Sequence, residues 1–537
     1  MVDHARFLVH HDGSFLHQHP PPITLAQFVH EVVGCVAGTQ VDHVTCHMFS
    51  FGDHVPMYPS KLDAAQPVFP DKAHSVNTWK LIRNLKAMSV FDDDPWCAAI
   101  DAARARGLTF WSAMRFNDAH PSEYGLRSRF SVARPEYRLG DRCDAPIHSP
   151  DPGGKISACR CLDFSIDQVR EHQLMLITEV CSAYDVDGFE LDLTRDSGHD
   201  FPRTVAHDAR REILTNHIAK IRAALGAIGD ERGRPLDFAV RVPGTLEACG
   251  RAFADVANWI ANDLVDVVTP TVNYDTTCEL PFDEFVALAG NTKCRVYASV
   301  TEGVGPGRFR PPPVEAVRAA ALNAWRQGVQ GINLFNFHHH TISNRVDDVI
   351  LFSELGDPAT LEQKNKLYMI AGIGVISQSR FAGLPYPTAH RHQLPVELPE
   401  QPEGPGVTIR LPLGDDLARA RQSRMLAELI MTVDLCHVTG AELIEINING
   451  DVLSLDEARF DVSTQYPWNW NGQRGHLEAR LDLTNRDCLT EGDNEITFTL
   501  RQRPSDIADT MVLYAIRLEV RYHATPFGMI RESRNSQ

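Results

Sequence analysis

Along the first two thirds of the chain, short runs rich in Val, Leu, Ile and Phe alternate with longer stretches whose apolar residues recur every three to four positions. Runs of the first kind predict strands, stretches of the second kind amphipathic helices, and their alternation is the signature of βα units around a parallel sheet. Eight strand-like runs occur before residue 355: Phe7 to His10, Val44 to Met48, Thr109 to Met114, Gly188 to Leu193, Phe238 to Val242, Val265 to Thr269, Arg295 to Val300 and Gly331 to Phe337. Helical patterns lie between them, among them Pro95 to Arg106, ended by Gly107, Ile166 to Tyr184, and Pro313 to Arg326, ended by Gly328. Eight strands and their helices in about 350 residues predict an α/β fold of the (β/α)8 barrel type, residues 1–355. Neither a GxGxxG after the first strand nor a P-loop supports a nucleotide-binding version of α/β. The longest insertion, from Asn117 to about Asp163, should form an elaborate loop over the active face.

Beyond the barrel the pattern changes. Residues 356–404 read as a connecting segment, with Pro and acidic residues thickening from Pro395 to Pro405. Residues 405–525 then show alternating strand runs: Val407 to Leu411, Leu429 to Val433, Leu443 to Ile448, His476 to Leu483, Glu495 to Leu500 and Val512 to Val520. With Asn449-Gly450 as a two-residue hairpin signal, these predict an antiparallel β-sandwich, jelly-roll-like, followed by a tail, residues 526–537.

Composition narrows the partners. Of 537 residues 43% are hydrophobic and 23% charged, a globular balance. The longest apolar stretch, Leu367 to Ile376, is too short to span a bilayer. Seventy Asp and Glu against 52 Lys and Arg leave a net charge of −18, which opposes binding to nucleic acid or an anionic membrane. The N-terminus runs into a strand without a basic start or apolar leader, so a cytoplasmic location is expected. Twelve scattered cysteines, whose one close pair is Cys159-Arg160-Cys161, read as mostly reduced, buried thiols.

In a (β/α)8 barrel the reactive groups project from the C-terminal ends of the strands. The fourth run places Glu190 and Asp192 on one face at i and i+2, with Asp192 nearer the rim. Two neighbouring carboxylates push their pKa values apart, which suits acid/base chemistry. On the seventh run Val296, Ala298, Val300 and Glu302 share a parity, so an apolar face is expected to end in Glu302. Asp192 and Glu302 would then form the carboxyl pair that glycoside hydrolysis needs, with Asp192 as nucleophile or base and Glu302 as acid/base. Glu190 is equally suited to be the buried partner of Arg115 or Arg241.

Polar residues at the other strand ends are candidates for binding sugar hydroxyls: His10, His11 and Asp12, His47, Arg115, Asn117 and His120, Arg241, Asn273 and Tyr274, and Asn336 with His338. Much of the surplus of 24 histidines therefore falls at strand ends. No HExxH occurs, the adjacent His10 and His11 point to opposite faces, and His338 and His340 share a parity only if the eighth strand continues that far, so no metal or other cofactor is expected. A metal-dependent barrel hydrolase using the histidine clusters is the lesser alternative.

Three segments carry a family resemblance. Arg115-Phe116-Asn117-Asp118-Ala119-His120 after a Trp-Ser strand, the loop Ala133-Arg134-Pro135-Glu136-Tyr137, and Leu162-Asp163-Phe164-Ser165 leading through Val169-Arg170 to Tyr184-Asp185-Val186-Asp187-Gly188-Phe189-Glu190-Leu191-Asp192 resemble the bacterial glycosyl-hydrolase-like barrels of family 10 type. The resemblance covers about residues 5 to 355 and implies a barrel acting on an oligo- or polysaccharide, often with an appended sandwich. The fourth run is also similar to that of α-amylase-like and α-galactosidase-like hydrolases, which implies Asp192 as nucleophile. It departs from the amylase-like pattern in having Glu190 where that pattern has Arg. No Glu ends the fifth run, and the Asn-Glu pair of the large retaining clan is missing from the fourth. A glycosidase is thus expected, with a non-catalytic carbohydrate-binding barrel as the alternative. The cluster Tyr466 to Gly472 is expected to pack between domains.

Overall fold

The computed structural model describes residues 7–118, 126–142, 161–194, 200–272, 276–301, 312–337, 346–371, 392–454, 459–462 and 477–523. All eight expected barrel strands form: β1 (Phe7–His11), β2 (His43–His47), β3 (Thr109–Arg115), β4 (Gly188–Asp192), β5 (Asp237–Pro243), β6 (Val267–Thr271), β7 (Arg295–Thr301) and β8 (Gly331–Phe335). Each pairs in parallel with the next and β8 closes on β1, giving a (β/α)8 barrel. Local chemistry sets the helices. Asp94 caps helix Pro95–Arg104 by accepting from the backbone N–H groups of Trp96 and Cys97, Pro95 presets the first turn, and Gly107 leaves the segment at φ 72°. Helices Asp167–Ala183 and Val314–Arg326 fall within a residue of their expected bounds.

Strand parity divides the core. Phe7, Val9, Leu191, Val240, Val296, Val300, Ile332 and Leu334 pack outward in one cluster with helix residues such as Leu176, Ile177 and Val317. Leu8, Trp111, Ala239, Val267 and Tyr297 form a separate apolar floor inside the barrel, near the N-terminal ends of the strands. Above that floor the inward positions are polar: Thr45, Glu190, Thr269, Ser299 and Asn333, then His47, Asp192, Arg241 and Thr271, all nearly or fully buried. Barrel interiors are usually filled by branched aliphatic side chains, so this polar filling marks the C-terminal half as built for something other than packing.

The second unit is a β-sandwich of two antiparallel sheets. One joins β9 (Lys366–Ala371), β18 (Met511–Tyr522), β12 (Leu426–Cys436), β16 (Leu477–Asp482) and β15 (Arg459–Val462), with β10 (Val396–Leu398) also on β18. The other joins β11 (Val407–Leu413), β17 (Gly492–Gln502), β13 (Leu443–Ile448) and β14 (Asp451–Ser454). All six expected strand runs lie in these sheets. The Asn449-Gly450 turn has φ of 51° and 98°, the double positive φ that a two-residue hairpin of the primed type requires. The segment expected as a connector instead supplies β9 and β10: Lys366 to Ala371 pairs along β18 because its alternate residues Tyr368 and Ile370 fill the sandwich core. The expected aromatic cluster Tyr466 to Gly472 lies outside the described residues. No helix among the described residues is long and apolar enough to cross a membrane.

A buried polar node braces the second unit, and two hydrogen bonds beside it reach the barrel. Asp415 receives the Lys366 ammonium at 2.9 Å and the hydroxyls of Tyr368 and Tyr522 at 2.6 Å each, all from sandwich strands, while Asn323 and Arg326 of the helix between β7 and β8 donate to the carbonyls of Pro412 and Gly414. Removing one partner of a buried ion pair strands the other charge. Asp415→Ala should therefore cost about 3 to 5 kcal/mol in urea unfolding; a loss below about 1 kcal/mol, the range of exposed pairs, would show that the node is not a buried charge pair.

Candidate active site

The centre of the site is the end of β4. Asp192 is fully buried, and its two oxygens are held from different sides: Oδ2 accepts from Arg241 Nη1 at 2.7 Å, and Oδ1 accepts from the Thr194 backbone N–H at 2.9 Å and hydroxyl at 2.6 Å. Burial works against the charge of Asp192, but the Arg241 guanidinium and the Thr194 bonds outweigh it and hold the carboxyl at about 2. Arg241, on the neighbouring β5, is itself fully buried, also donates to the Thr271 hydroxyl, and lies 3.8 Å from the centroid of the Phe335 ring.

One pleat deeper on the same face, Glu190 behaves in the opposite way. Burial pushes its carboxyl up to about 8, the pull of Arg241 being too weak to offset it and the charge of Asp192 adding to it. Its near neighbour is His10, whose Nδ1 lies 2.9 Å from Glu190 Oε1 although the pair is not aligned as a regular hydrogen bond. The His10 ring stands edge-on to Phe335 at 4.9 Å and tilted to His47 at 5.0 Å. Burial, reinforced for His10 by Arg241, pushes both imidazoles well below their ordinary value. Near neutral pH the strand therefore carries one ionised and one protonated carboxyl, flanked by neutral histidines. Thr269, Ser299 and Asn333 add buried polar atoms without a hydrogen-bond partner among the described residues, the kind of group that internal water satisfies.

A second network closes the rim between β1, β3 and β8. Asp12 accepts from Arg115 Nη2 and Asn336 Nδ2, both at 3.2 Å, and from the Ser14 backbone; Arg115 also donates to Asp118 at 2.6 Å and stacks over Phe51. Asn336 sits at φ 66°, a conformation Asn tolerates better than most residues, and its buried Oδ1 meets no partner among the described residues. Of the expected site residues, His10, Asp12, His47, Arg115, Glu190, Asp192, Arg241 and Asn336 converge at this mouth, none more than 3% exposed.

Other expectations are corrected. Arg241 pairs with Asp192, not with Glu190, and Arg115 pairs with Asp12 and Asp118. His11 shares the outward face of β1 with Phe7 and Val9. Asn117 clamps the returning insertion: its Nδ2 donates to the Leu162 carbonyl and its Oδ1 accepts the Leu162 N–H, so both ends of the amide are used in holding the loop. On β7 the inward face is Arg295, Tyr297, Ser299 and Thr301, and Val296, Ala298 and Val300 pack toward the helices. The parity that placed Glu302 at the mouth is thus the parity of the outer face; Glu302 itself, with His120, Asn273, Tyr274 and His338, lies outside the described residues. Among the described residues no group of three or more His, Cys, Asp or Glu is arranged to hold a metal ion. Eight of the ten described cysteines are buried.

Sequence reasoning missed Thr194, Phe335 and the polar interior. Thr194 was readable, because a hydroxyl residue two places after an Asp at a strand end can close a turn onto that carboxylate. Phe335, at inward parity on β8, was not, since a Phe in an apolar run carries no sign that it meets a guanidinium and an imidazole.

No family model and no curated protein matches the chain. Solved structures similar to it include glycoside hydrolases. The glycoside hydrolase domain of PgaB (BpsB) from Bordetella bronchiseptica is 11% identical over 66% of this chain and 99% of that one, with a TM-score of 0.40. Alpha-L-fucosidase isoenzyme 2 from Paenibacillus thiaminolyticus is 15% identical over 66% of this chain and 49% of that one, at 0.42. A GH36 alpha-galactosidase from Geobacillus stearothermophilus is 11% identical over 97% of this chain and 56% of that one, at 0.38. The chain thus spans about half the length of the last two.

Burial lowers His10, His43, His47, His54, His172 and His217. These groups are neutral when folded and take up protons near pH 6.5 when unfolded, so the stability they contribute is present above about 6.5 and lost as pH falls below it, by up to about 1.4 kcal/mol per pH unit for each. Glu190, with a raised folded value, works in the opposite direction and offsets one of the six. The urea midpoint at pH 5.5 should lie well below that at pH 7.5; equal midpoints would contradict the neutral, buried state of these rings.

Proposed function

We propose that this chain is a glycoside hydrolase acting on an oligo- or polysaccharide at the C-terminal mouth of the barrel. The observation that carries the reading is the contrast between two buried carboxyls on one strand face: Asp192 is bonded by Arg241 and Thr194, which favours its ionised form, and Glu190 has no hydrogen-bond partner among the described residues, which favours its protonated form. Hydrolysis of a glycosidic bond needs one carboxylate to attack the anomeric carbon or activate water and one acid to protonate the leaving oxygen. Asp192 takes the first role. Glu190 is the acid supported by its protonation; Glu302 is the competing assignment. Two guanidiniums, Arg115 and Arg241, face three aspartates, Asp12, Asp118 and Asp192, a balance that does not collect an anionic sugar and favours a neutral one. Asn336, Arg115 and Asp12 are suited to sugar hydroxyls.

A second reading, a carbohydrate-binding barrel without turnover, is favoured by the full burial of Asp192 and the engagement of both its oxygens. A screen of neutral, deoxy and uronic oligosaccharides for products separates the two, since binding in calorimetry with no product from the wild type selects the second. For the hydrolase, Asp192→Asn should lower kcat/KM about 10³-fold or more with the fold intact by circular dichroism, and Glu190→Gln should do the same. If Glu302→Gln is the damaging variant and Glu190→Gln is tolerated, the acid is Glu302.

The pH profile carries its own sign. Activity needs Asp192 ionised and Glu190 protonated, so kcat/KM should fall above about 8 as Glu190 ionises and hold on the acid side down toward about 2, as far as the protein stays folded. An alkaline limb near pH 4 to 5, the range of an ordinary carboxyl, would contradict the assignment.

A further inference from the structure

Glu190 and His10 stand on β4 and β1, strands that are not neighbours, so their 2.9 Å approach crosses the barrel interior. Both side chains are fully buried, and among the described residues none of their four polar atoms has an aligned hydrogen bond, so the 2.9 Å approach becomes one only with a rotation of either side chain. The charged and titratable groups around the pair are Asp192 and Arg241 toward the mouth, His47 against the His10 ring with His43 on the same strand as His47, and Asp12 and Arg115 at the rim. An ionised Glu190 here would be a desolvated anion beside the permanent charge of Asp192, with no N–H or O–H bonded to either oxygen. A protonated His10 would in turn be repelled by Arg241, which lies against the same Phe335 ring. Within the pair the proton therefore belongs on the carboxyl, and the carboxylic O–H needs an acceptor.

We propose that His10 is a positioning residue that holds the Glu190 proton: with its own hydrogen on Nε2, its Nδ1 accepts the carboxylic O–H and keeps Glu190 as the acid beneath Asp192. The inference rests on the reading of Glu190 as proton donor and gives the neutral histidine at the strand end a specific task. It makes a prediction that packing alone does not. Asn at position 10 places an amide oxygen close to where Nδ1 stood and can still accept; Phe preserves ring volume and removes the acceptor.

The test is a pH titration of the protonated carboxyl stretch of Glu190 in the full-length protein, isolated as the infrared difference between wild type and Glu190→Gln, and repeated in His10→Asn and His10→Phe. The wild-type band should persist through neutral pH, remain close to that in His10→Asn, and be lost at least one pH unit lower in His10→Phe. The alkaline limb of kcat/KM should move with it. A wild-type band lost near pH 4 to 5 overturns the proposal without any His10 variant, as does a His10→Phe titration that coincides with wild type or moves upward. A purely structural role predicts the reverse ranking, with the Phe variant wild-type-like and the Asn variant perturbed. Because the infrared measurement needs no substrate, the expected shift in a protein that cleaves no glycoside would keep the His10 and Glu190 pairing while removing the hydrolase reading.

Discussion

The site depends on one ion pair placed where ion pairs are expensive. Asp192 and Arg241 are both fully buried at the ends of adjacent strands, 2.7 Å apart. Desolvating two charges costs several kcal/mol per ion, which the pair recovers only through good geometry and added hydrogen bonds. Thr194 supplies those bonds to one carboxylate oxygen, Thr271 takes a second N–H of the guanidinium, and the Phe335 face covers the rest of it. Apolar residues of similar volume would satisfy the same barrel more cheaply. The charge is therefore best understood as retained for its chemistry.

With that negative charge fixed, the state of its surroundings follows. Glu190, one pleat below, is fully buried and cannot ionise cheaply beside Asp192, so it keeps its proton. Burial, reinforced by Arg241, keeps His10 neutral, and burial does the same for His47. An interior of Thr45, Thr269, Ser299 and Asn333 then gives these groups polar walls instead of the usual aliphatic filling. The stability that such an interior forgoes is supplied elsewhere, by the outward faces of the strands against the helices and by the sandwich, which Asn323 and Arg326 bond to the barrel.

The architecture was legible because it is written in hydrophobic periodicity. All eight barrel strands and six of the sandwich strands appear where apolar runs stood, and Asn449-Gly450 turned as its residues require. Lys366 to Ala371 was missed because its position just after the barrel suggested a connector, whereas its alternation pairs it with a strand almost 150 residues further on. The site was legible only in part. Residues on one strand share a face by period two, so Glu190 and Asp192 could be placed together from β4 alone. Which residue of another strand meets them depends on barrel tilt and on which parity points inward. That is why Arg241 was assigned to the wrong carboxyl, and why the apolar alternation of β7, which belongs to the helix-facing layer, was taken for the mouth. Asn117 shows the same limit, since a polar residue at a strand end reads as a ligand until the loop it clamps is seen.

The account stands on Asp192 being the ionised carboxylate that meets the sugar. Its most direct measurement is turnover of an activated aryl glycoside, established as a substrate of the wild type, by Asp192→Ala with and without added azide, following both the released aryl group and the sugar product. The account predicts an inert variant whose turnover is restored by azide, the small anion occupying the space of the missing carboxylate and leaving as a glycosyl azide. Turnover by Asp192→Ala at the wild-type rate without azide would contradict it.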